Sequence, residues 1–414
     1  MELSGTIQIA GDKSISHRLL MFAALIKGDS IIRNISLCKD VKSTIEVLRQ
    51  CNIDIQINNK TAKISGGTLK SPKEPLNLGN SGTTARLMIG LLAGQNIKAK
   101  LIGDKSLSQR PMKRVLDPLA KGGAIIKSKN NFLPIEIISG INKPILYTQK
   151  TKSAQVKASL VFAGLGLNEI SEIHYNQSTR DHSENFLKYV GISIKHNDFL
   201  RVSSSYTYEP FNIEVLGDFS NASFIIALAI LVPGSCVKIK KLLYNEHRIG
   251  FLNVIKKMGA DIVVENIDES YGEASCDLVV RYSPHLKNIL INEDTIITMI
   301  DEIPLLSVLG SSSEGELVID NASELRLKES DRIKAICFNL KNMGADIKET
   351  KCGFILKGKK TLYNTIINDF GDHRIAMAFY ILNFSINNAF SNYDLNISKI
   401  SFPEFHPLIK ELSC

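Results

Sequence analysis

The segment Gly11-Asp12-Lys13-Ser14-Ile15-Ser16-His17-Arg18 leads directly into the apolar stretch from Leu19 to Ile26. A glycine turn followed by such a stretch is typical of a helix N-terminus, where free backbone N–H groups favour an anion. Lys13 and Arg18 add full positive charges, and Ser14 shares a helix face with Arg18 because the two are four residues apart. The segment therefore predicts an anion site at a helix start. The simpler alternative is an ordinary, solvated helix cap.

The predicted anion site differs from the nucleotide-binding P-loop. That loop requires Gly-x4-Gly-Lys-Ser/Thr, whereas Lys13 follows Asp12 and residue 10 is alanine. The spacing therefore favours an anion site over an ATP site.

The same arrangement of a polar turn and an apolar helix-like run recurs along the chain. Its further occurrences are Gly79-Asn80-Ser81-Gly82-Thr83-Thr84-Ala85-Arg86, Ser153-Ala154-Gln155-Val156-Lys157, Gly217-Asp218-Phe219-Ser220-Asn221, Asp301-Glu302-Ile303-Pro304 and Gly371-Asp372-His373-Arg374. The turns lie about 70 residues apart, so six repeats account for nearly all of the 414 residues.

A second marker keeps the same phase, namely a helix end at glycine followed by a β-like run. It occurs at Lys121-Gly122-Gly123, Tyr189-Val190-Gly191, Lys257-Met258-Gly259 and Asn342-Met343-Gly344, while the first repeat has asparagine at Cys51-Asn52-Ile53. Glycine suits the left-handed cap of a helix, and the residues beyond it suit a strand. Each repeat therefore predicts a turn, helix, strand, helix, corner and strands, which is an α/β arrangement.

Six such repeats pack most simply as two lobes of three. The lobes should meet near Glu214 to Asp218, and the pattern leaves open which lobe contains the first residues. If the six turns point toward the space between the lobes, several helix N-termini meet there, and we expect a positive, phosphate-binding cleft.

Composition limits the classes of function. The formal net charge of +8 suits an anionic ligand and does not require nucleic acid, since it is modest for a chain of 414 residues. Trp is absent, and aromatic residues are not interleaved with basic clusters, so the stacking surface of a single-strand binder is not visible. We therefore expect small anionic substrates and no nucleic acid.

The cysteines and apolar stretches predict a cellular location. The seven cysteines are scattered without a C-x-x-C pair, which favours a reducing compartment and argues against a structural zinc site. The residues after Met1 lack a basic region followed by an apolar run, and the longest apolar stretch, Phe224 to Val232, is too short to span a bilayer. We expect a cytoplasmic protein without membrane association.

Eight motifs, in order along essentially the whole chain, resemble the 5-enolpyruvylshikimate-3-phosphate synthase family of enolpyruvyl transferases. They are the segments at Gly11–Arg18 and Leu78–Arg86, Ser106-Leu107-Ser108-Gln109-Arg110-Pro111-Met112, Lys152-Ser153-Ala154-Gln155, Ser178-Thr179-Arg180-Asp181-His182, Asp301-Glu302, Leu325-Arg326-Leu327-Lys328-Glu329-Ser330-Asp331-Arg332 and Asp372-His373-Arg374-Ile375-Ala376-Met377. Each motif alone is weak evidence, whereas eight in register are strong.

The resemblance implies a two-lobed α/β fold, each lobe having three βαβαββ-type repeats, described for the family as an inside-out α/β barrel. The implied lobes are residues 12–216, and residues 1–11 with 217–414. The implied reaction moves the enolpyruvyl group of phosphoenolpyruvate to the 5-hydroxyl of shikimate 3-phosphate and releases phosphate, in chorismate and aromatic amino acid biosynthesis. It implies no metal and no organic cofactor, and we expect a monomer.

The resemblance also implies residues for each substrate. Those implied for phosphoenolpyruvate are Lys13, Asn80, Gly82, Arg110, Gln155, Arg332 and Arg374, with Lys328 beside the phosphate. Those implied for shikimate 3-phosphate are Ser14, Arg18, Ser153, Ala154 through its backbone, Gln155 and Arg180. Simpler roles are a turn glycine for Gly82, a polar helix cap for Ser153 to Gln155, and surface pairing for Arg180.

The implied catalytic groups are Asp301, Glu329 and Lys13. Asp301 is the candidate base on the 5-hydroxyl, and Glu329 is the candidate proton donor to the methylene carbon. A carboxylate among cations normally has a lowered pKa, so an acid role for Glu329 requires burial or a relay. The alternative for Glu329 is an ion pair with Lys328 or with Arg332, which lies three residues on.

Other residues near these motifs have secondary candidate roles. Lone histidines are more often hydrogen-bonded structural residues than catalytic ones, so we expect a structural role for His17 and His373. Glu302 is expected to face away from Asp301 or to support Asp301. Arg86 either shapes the cleft or pairs at the surface. Lys399 lies one position early relative to the usual family pattern before Phe402-Pro403, so it is only a weak phosphate ligand candidate.

Two other functions are compatible with such a chain. The first is the sister enolpyruvyl transferase that acts on UDP-N-acetylglucosamine, against which stand Lys13-Ser14 in place of Lys-Asn and the absence of cysteine near Arg110. The second is a non-catalytic polyanion or nucleic-acid binder, which would bind many anions in a salt-dependent way without needing Asp301 or Glu329.

Overall fold

The computed structural model describes residues 2–149, 153–175, 179–196, 199–358, 361–389 and 393–413. Lys152 and Ser178 of the quoted motifs, and Cys414, lie outside these ranges. The chain divides into two compact units. We call Gly11–Val215 with Ser270–Glu273 the N-terminal unit, and Met1–Ala10, Leu216–Glu269 and Ala274–Cys414 the C-terminal unit.

The strands are short and distributed along the whole chain. They are β1 (Ser4–Gln8), β2 (Gly28–Arg33), β3 (Asp54–Asn58), β4 (Thr61–Gly66), β5 (Leu76–Asn77), β6 (Ala99–Ile102), β7 (Ile125–Lys129), β8 (Phe132–Ser139), β9 (Leu146–Thr148), β10 (Ser171–His174), β11 (Lys195–His196), β12 (Phe199–Val202), β13 (Asn212–Glu214), β14 (Cys236–Leu243), β15 (Ile262–Ser270), β16 (Glu273–Arg281), β17 (Glu316–Ile319), β18 (Asp346–Glu349) and β19 (Phe354–Lys357).

At least two helices follow each predicted turn, and in each of the first five repeats a strand lies between the first two of them. The α-helices are α1 (Lys13–Leu25), α2 (Lys39–Gln50), α3 (Gly82–Gly94), α4 (Lys113–Lys121), α5 (Ala154–Gly164), α6 (His182–Tyr189), α7 (Phe219–Leu231), α8 (Gly250–Lys257), α9 (Glu293–Thr298), α10 (Ile303–Ser312), α11 (Arg332–Asn342), α12 (His373–Asn387) and α13 (Phe405–Leu412). Short 3-10 helices cover Leu107–Gln109, Ser323–Leu327 and Leu395–Ile400.

The N-terminal unit contains three four-stranded sheets of one design. Their strand orders are β13-β2-β4-β3, β5-β6-β8-β7 and β9-β10-β12-β11. In each sheet the first pair is parallel and the other two pairs are antiparallel. Along the chain, the parallel edge strand of each sheet is followed by the first helix of a repeat: β13 by α7, β5 by α3 and β9 by α5. The predicted repeat is therefore confirmed as an α/β unit.

The C-terminal unit follows this design in part. Its sheets have the orders β1-β14-β16-β15 and β17-β19-β18, and β1 pairs in parallel with β14. A parallel bridge between Lys287 and Glu314 lies just before β17, where the parallel edge strand would begin. In the described residues after Gly371 the last repeat has helices α12 and α13 and no strand, so the expectation of strands in every repeat was wrong for that part.

Helix α1 and its five equivalents α3, α5, α7, α10 and α12 are the leading helices, and they are buried on nearly all sides. In α7 every residue from Phe219 to Ile230 is buried, which is typical of an internal helix. In α2, by contrast, the buried residues recur at helical spacing and leave one face exposed. The sequence of each leading helix is apolar because it packs inside its own unit.

Side chains cap most leading helices at their first turn. The residues that accept a backbone N–H bond there are Asp12, Ser81, Ser153, Asp218 and Asp372. Helix α10 differs, since Glu302 makes no side-chain cap bond and Pro304 lies in the first turn. Five of the six predicted turns therefore hold a helix start in a fixed conformation, with backbone N–H groups beside the cap.

The second helix of each of the first five repeats ends at a residue with positive φ. Gly123, Gly191, Gly259 and Gly344 have φ between 86° and 100°, and Asn52 takes the same place in the first repeat with φ 71°. Asparagine tolerates this left-handed conformation better than most residues. The predicted glycine corners, including the asparagine exception, are confirmed.

Helices α3 and α5 approach each other closely at glycine. A Cβ atom on Gly90 would lie 2.0 Å from the backbone oxygen of Ser159, and one on Gly94 would lie 2.5 Å from that of Ala163. Only residues without a Cβ fit at these positions. The close approach sets the distance between the starts of two leading helices.

A chain of buried hydrogen bonds joins α1, α2 and α3. His17 Nδ1 lies 2.7 Å from Thr44 Oγ1, which lies 2.8 Å from Thr84 Oγ1. The Thr84 hydroxyl in turn donates to Ser81 Oγ at 2.7 Å. Burial, outweighing the carboxylate of Asp40, lowers the pKa of His17 to about 3, so the imidazole is neutral at neutral pH. His17 therefore has the structural, hydrogen-bonded role expected from the sequence.

This neutral histidine makes stability depend on pH. The unfolded chain, with a pKa near 6.5 at this residue, takes up the proton more readily than the folded chain between pH 6.5 and 3, so stability falls as the pH drops through this window. At about 1.4 kcal/mol per pH unit, His17 should cost roughly 2 kcal/mol at pH 5. Thermal unfolding midpoints at pH 7.5 and 5 should fall less in His17→Asn than in the wild type.

The exposed His285 provides the matched control for this measurement. His285→Asn should retain the full wild-type fall in the midpoint, because an exposed imidazole is solvated in both states. Identical falls in the wild type and His17→Asn would contradict the assignment of a buried, neutral His17.

Candidate active site

Lys13 is the first residue of α1 and is held by an acid from α2. Its Nζ lies 2.9 Å from the Asp40 carboxylate, and both side chains are mostly buried. The ammonium therefore stays beside the helix N-terminus, where the helix dipole alone would repel a cation. Lys13 belongs to a motif that predicts the site, whereas Asp40 lies outside all the motifs.

Arg18 and Ser14 are brought together as their spacing predicts. The Arg18 guanidinium donates through Nη1 to the Ser14 carbonyl oxygen at 2.8 Å and through Nε to Ser183 Oγ of α6 at 3.1 Å. Arg18 is buried. It links the start of α1 to the start of α6.

Asn80 and Arg110 lie together near the start of α3. Arg110 donates through Nη2 to Asn80 Oδ1 at 2.9 Å and to Ser106 Oγ at 3.2 Å. Asn80 Nδ2 donates to Asp104 at 2.6 Å. Asp104, which sequence analysis did not single out, thus orients the amide that contacts Arg110.

Gly82 is the first residue of α3 and lies beside two guanidinium groups. A Cβ atom there would be 2.8 Å from Nη1 of Arg86 and 3.3 Å from Nη1 of Arg110. The missing side chain allows both cations to approach the helix N-terminus, which itself favours anions. Two guanidinium groups therefore lie beside the helix start at Gly82.

Arg86 connects α3 to the start of α5. It donates through Nη1 to Gln155 Oε1 at 2.8 Å, and Gln155 Nε2 donates to Thr83 Oγ1 at 3.1 Å. Ser153 caps α5 by accepting from the Val156 N–H, and Ala154 is the first helical residue. The residues Ser153 to Gln155 therefore form a capped helix start, as the simpler alternative stated, and Gln155 is also fixed by its contacts to α3.

Arg180 is half-buried and precedes α6 by two residues. Next to it, His182 Nδ1 lies 2.7 Å from the carboxylate of Glu273, with both side chains buried. Within the described residues, Asp181, His182 and Glu273 form a group whose ligand atoms lie within 4.8 Å of one another. The hydrogen bond between His182 and Glu273 accounts for one of these approaches.

In the C-terminal unit Arg332 is the centre of a buried charge cluster. It donates through Nε to Asp372 at 2.8 Å, through Nη2 to Glu329 at 2.6 Å and through Nη1 to Asp301 at 3.3 Å. Burial lowers the pKa of Arg332, but the three carboxylates outweigh burial and raise the pKa above its ordinary value. The guanidinium is therefore permanently charged.

Asp301 is surrounded by three cations. Lys328 Nζ lies 3.4 Å, Arg332 Nη1 3.3 Å and Arg374 Nε 4.0 Å from Asp301 Oδ1. Glu302 is buried, and its carboxylate lies 4.0 Å from Arg374 Nη1. Glu302 was expected to face away from Asp301 or to support Asp301, and the charged group that it approaches is Arg374.

Glu329 pairs with Arg332, the alternative identified for it from the sequence. The pair spans three residues, and the Glu329 side chain remains 20% exposed. An opposite charge this close favours the carboxylate form. The ion pair expected as the alternative to a proton-donor role is therefore present.

Asp372 is the residue of this cluster to which sequence analysis gave no role. It is completely buried, makes two contacts to Arg332, and accepts the Arg374 backbone N–H at 2.9 Å as the cap of α12. Its position one residue before the start of an apolar helix was the available signal for a cap. One carboxylate thereby holds the Arg332 guanidinium and fixes the start of the helix that carries Arg374.

Lys399 is the predicted residue with the least support. Its Nζ donates to Asn396 Oδ1 at 2.8 Å within the 3-10 helix Leu395–Ile400, on an exposed part of the C-terminal unit. This local contact agrees with the doubt raised by its displaced position in the motif.

The described helices include none with the length and apolarity needed to cross a membrane. The six described cysteines are free thiols.

Comparison with known proteins shows similarity over the whole chain. Residues 1–409 match the family model for EPSP synthase (3-phosphoshikimate 1-carboxyvinyltransferase). The protein named 3-phosphoshikimate 1-carboxyvinyltransferase from Persephonella marina is 40% identical over 99% of this chain and 97% of its own length. The protein of the same name from Thermodesulfovibrio yellowstonii is 42% identical over the same shares.

Solved structures agree with these sequence matches. EPSP synthase from Acinetobacter baumannii has a TM-score of 0.86 at 33% identity, covering 99% of this chain and 96% of that one. The enolpyruvyl transferase NikO from Streptomyces tendae has a TM-score of 0.76 at 13% identity, covering 100% of this chain and 95% of its own, which shows a shared fold alone. The chain therefore belongs to the EPSP synthase (3-phosphoshikimate 1-carboxyvinyltransferase) family.

Proposed function

We propose that the protein transfers the enolpyruvyl group of phosphoenolpyruvate to the 5-hydroxyl of shikimate 3-phosphate and releases phosphate, in the pathway to chorismate and the aromatic amino acids. The observation that carries this proposal is the cluster in which Asp301 and Glu329 both contact the buried Arg332. Lys328 and Arg374 lie at its edge. Such a cluster offers two carboxylates for proton transfer and cations for a phosphate and a carboxylate.

The chemistry proceeds by addition and elimination. In the addition, C3 of phosphoenolpyruvate gains a proton while the 5-hydroxyl oxygen bonds to C2 and loses its proton. In the elimination, C3 loses a proton, the double bond re-forms, and the C2–O bond to phosphate breaks. Proton transfer and charge stabilisation suffice for both steps, and both lie within the capacity of side chains.

Phosphoenolpyruvate carries a phosphate and a carboxylate, so its binding needs several cations. The proposed ligands are Lys13, Asn80, Gly82, Arg110, Gln155, Lys328, Arg332 and Arg374. Support for this assignment comes from the anchors of these groups: Lys13 is fixed by Asp40, Arg110 by Asn80 and Arg332 by Asp372. The Arg374 guanidinium lies 4.0 Å from the carboxylates of both Asp301 and Glu302. Arginine forks suit bidentate recognition of carboxylate and phosphate.

Shikimate 3-phosphate is assigned to the helix starts of the N-terminal unit. The proposed ligands are Ser14, Arg18, Ser153, Ala154 through its backbone, Gln155 and Arg180. Support comes from the capped N-terminus of α5, where backbone N–H groups favour an anion, and from the contacts that fix Gln155 against α3.

Three groups are assigned to catalysis. Asp301 removes the 5-hydroxyl proton, with the nearby cations available to balance its charge. Glu329 delivers the proton to C3 once its pair with Arg332 is weakened by the substrate's own negative charge. Lys13 stabilises negative charge on phosphoenolpyruvate during both steps.

We also propose that the protein acts as a monomer in the cytoplasm. All assigned residues belong to one chain, so the reaction needs no second copy. The free, scattered cysteines are typical of a reducing compartment. Sedimentation of the purified protein at the mass of one chain, 45.8 kDa, is the expected result.

Phosphate release tests the reaction directly. Purified protein with phosphoenolpyruvate should release phosphate when shikimate 3-phosphate is the acceptor and should not when UDP-N-acetylglucosamine replaces it. Release with the nucleotide sugar alone would identify the sister transferase. Release with neither acceptor, in a folded protein, would favour an anion-binding role without catalysis.

Glu329→Gln tests the proposed proton donor. The amide keeps the shape of the side chain but cannot deliver the proton, so turnover should fall by about 100-fold or more, whereas shikimate 3-phosphate should still bind by calorimetry. Glu46 pairs with Arg49 at the same spacing on the surface, so Glu46→Gln should leave turnover unchanged. Near-normal turnover in Glu329→Gln would remove this residue from the mechanism.

A further inference from the structure

Lys157 and Glu184 form a buried ion pair that none of the proposed catalytic steps uses. Lys157 in α5 is 1% exposed, Glu184 in α6 is 5% exposed, and Nζ lies 2.5 Å from Oε1. The Lys157 ammonium also lies 4.4 Å from the centroid of the Tyr175 ring, just after β10. The pair therefore fixes three neighbouring elements of the N-terminal unit with respect to one another.

A pair of this kind is a poor source of stability. Removing both charges from water is costly, and replacing a buried pair by apolar residues of similar size is often neutral or stabilising. A buried ion pair instead fixes the distance between the elements that carry it, because the attraction between two charges shielded from water weakens steeply as they separate. The position of the pair in the fold indicates what that geometry serves.

Both partners lie four residues after a proposed ligand of shikimate 3-phosphate. Lys157 follows Ser153 by one helical turn, and its backbone N–H donates to the Ser153 carbonyl oxygen at 3.2 Å. Glu184 follows Arg180 at the same distance along the chain. Its neighbour Ser183 accepts a hydrogen bond from Arg18. A change in the separation of Lys157 and Glu184 therefore changes the separation of Ser153, Arg180 and Arg18.

We propose that Lys157 and Glu184 are positioning residues that set the spacing of the acceptor-binding groups at the starts of α5 and α6. This inference rests on the proposed assignment of Ser153, Arg18 and Arg180 to shikimate 3-phosphate. Their charged groups contact each other, and neither side chain is among the proposed substrate ligands. They act through the two helix starts that they hold together.

The test replaces both charges at once, so that no unpaired charge is left in the interior. Lys157→Met/Glu184→Leu should remain folded, with a thermal midpoint within a few degrees of the wild type, because an apolar pair of similar size can fill the space. KM for shikimate 3-phosphate should rise tenfold or more, while KM for phosphoenolpyruvate stays within twofold. An exposed pair of the same unit, Lys63 with Asp29, provides the control, and Lys63→Met/Asp29→Leu should change neither KM.

Three results would overturn the inference: an unchanged KM for shikimate 3-phosphate, an equal rise in both KM values, or a lower thermal midpoint alone. The last two would mark the pair as purely structural. If the double variant does not fold, Glu184→Gln, which preserves the side-chain shape, is judged by the same difference between the two KM values.

The variant Arg180→Ala distinguishes an error in the positioning role from an error in the proposed assignment of Arg180 to shikimate 3-phosphate. If Arg180→Ala raises KM for shikimate 3-phosphate and the double variant does not, the positioning role is wrong and the acceptor assignment stands. If Arg180→Ala leaves that KM unchanged, the assignment of Arg180, and with it the inference, is overturned.

Discussion

The buried guanidinium of Arg332 imposes the strictest constraint on the C-terminal unit. It is 1% exposed and contacts Asp372, Glu329 and Asp301. Removing one partner of a buried ion pair generally costs about 3–5 kcal/mol, because the remaining charge is left without compensation. Several acids must therefore surround Arg332 in the folded chain, and these acids lie near the starts of different helices. The same contacts that satisfy the buried cation bring two carboxylates of the proposed mechanism to one place.

The N-terminal unit uses the same device at smaller scale. Lys13 is anchored by Asp40, and Arg110 by Asn80, which is itself held by Asp104. Each anchored cation lies beside the start of a leading helix, where backbone N–H groups add to the attraction for anions. Fixing the cations in advance means that an anionic substrate loses little binding free energy to side-chain ordering. In the proposed function, the helix caps and the anchoring side chains thus both prepare the unit to bind an anionic substrate.

Local signals were sufficient to predict the repeat from the sequence. Turn residues mark the leading helices, and the place of Asn52 in the repeat predicts a corner residue, which its φ of 71° confirms. The anchors were harder to predict, because Asp40 lies 27 residues from Lys13 and Asp372 lies 40 residues from Arg332. Such partners depend on tertiary packing, which no local pattern encodes. The expectation of strands in the described part of the last repeat was wrong because it rested on the leading turn alone, since the corner marker occurs only in the first five repeats.

A crystal structure of the Asp301→Asn variant with both substrates would test the central claim most directly, since the substitution removes the proposed base and lets the two substrates persist together. The account predicts shikimate 3-phosphate on Ser153, Gln155 and Arg180, with its 5-hydroxyl within hydrogen-bond distance of residue 301, and phosphoenolpyruvate on Arg332 and Arg374. Phosphoenolpyruvate bound away from Arg332, or an acceptor whose 5-hydroxyl lies far from residue 301, would contradict it.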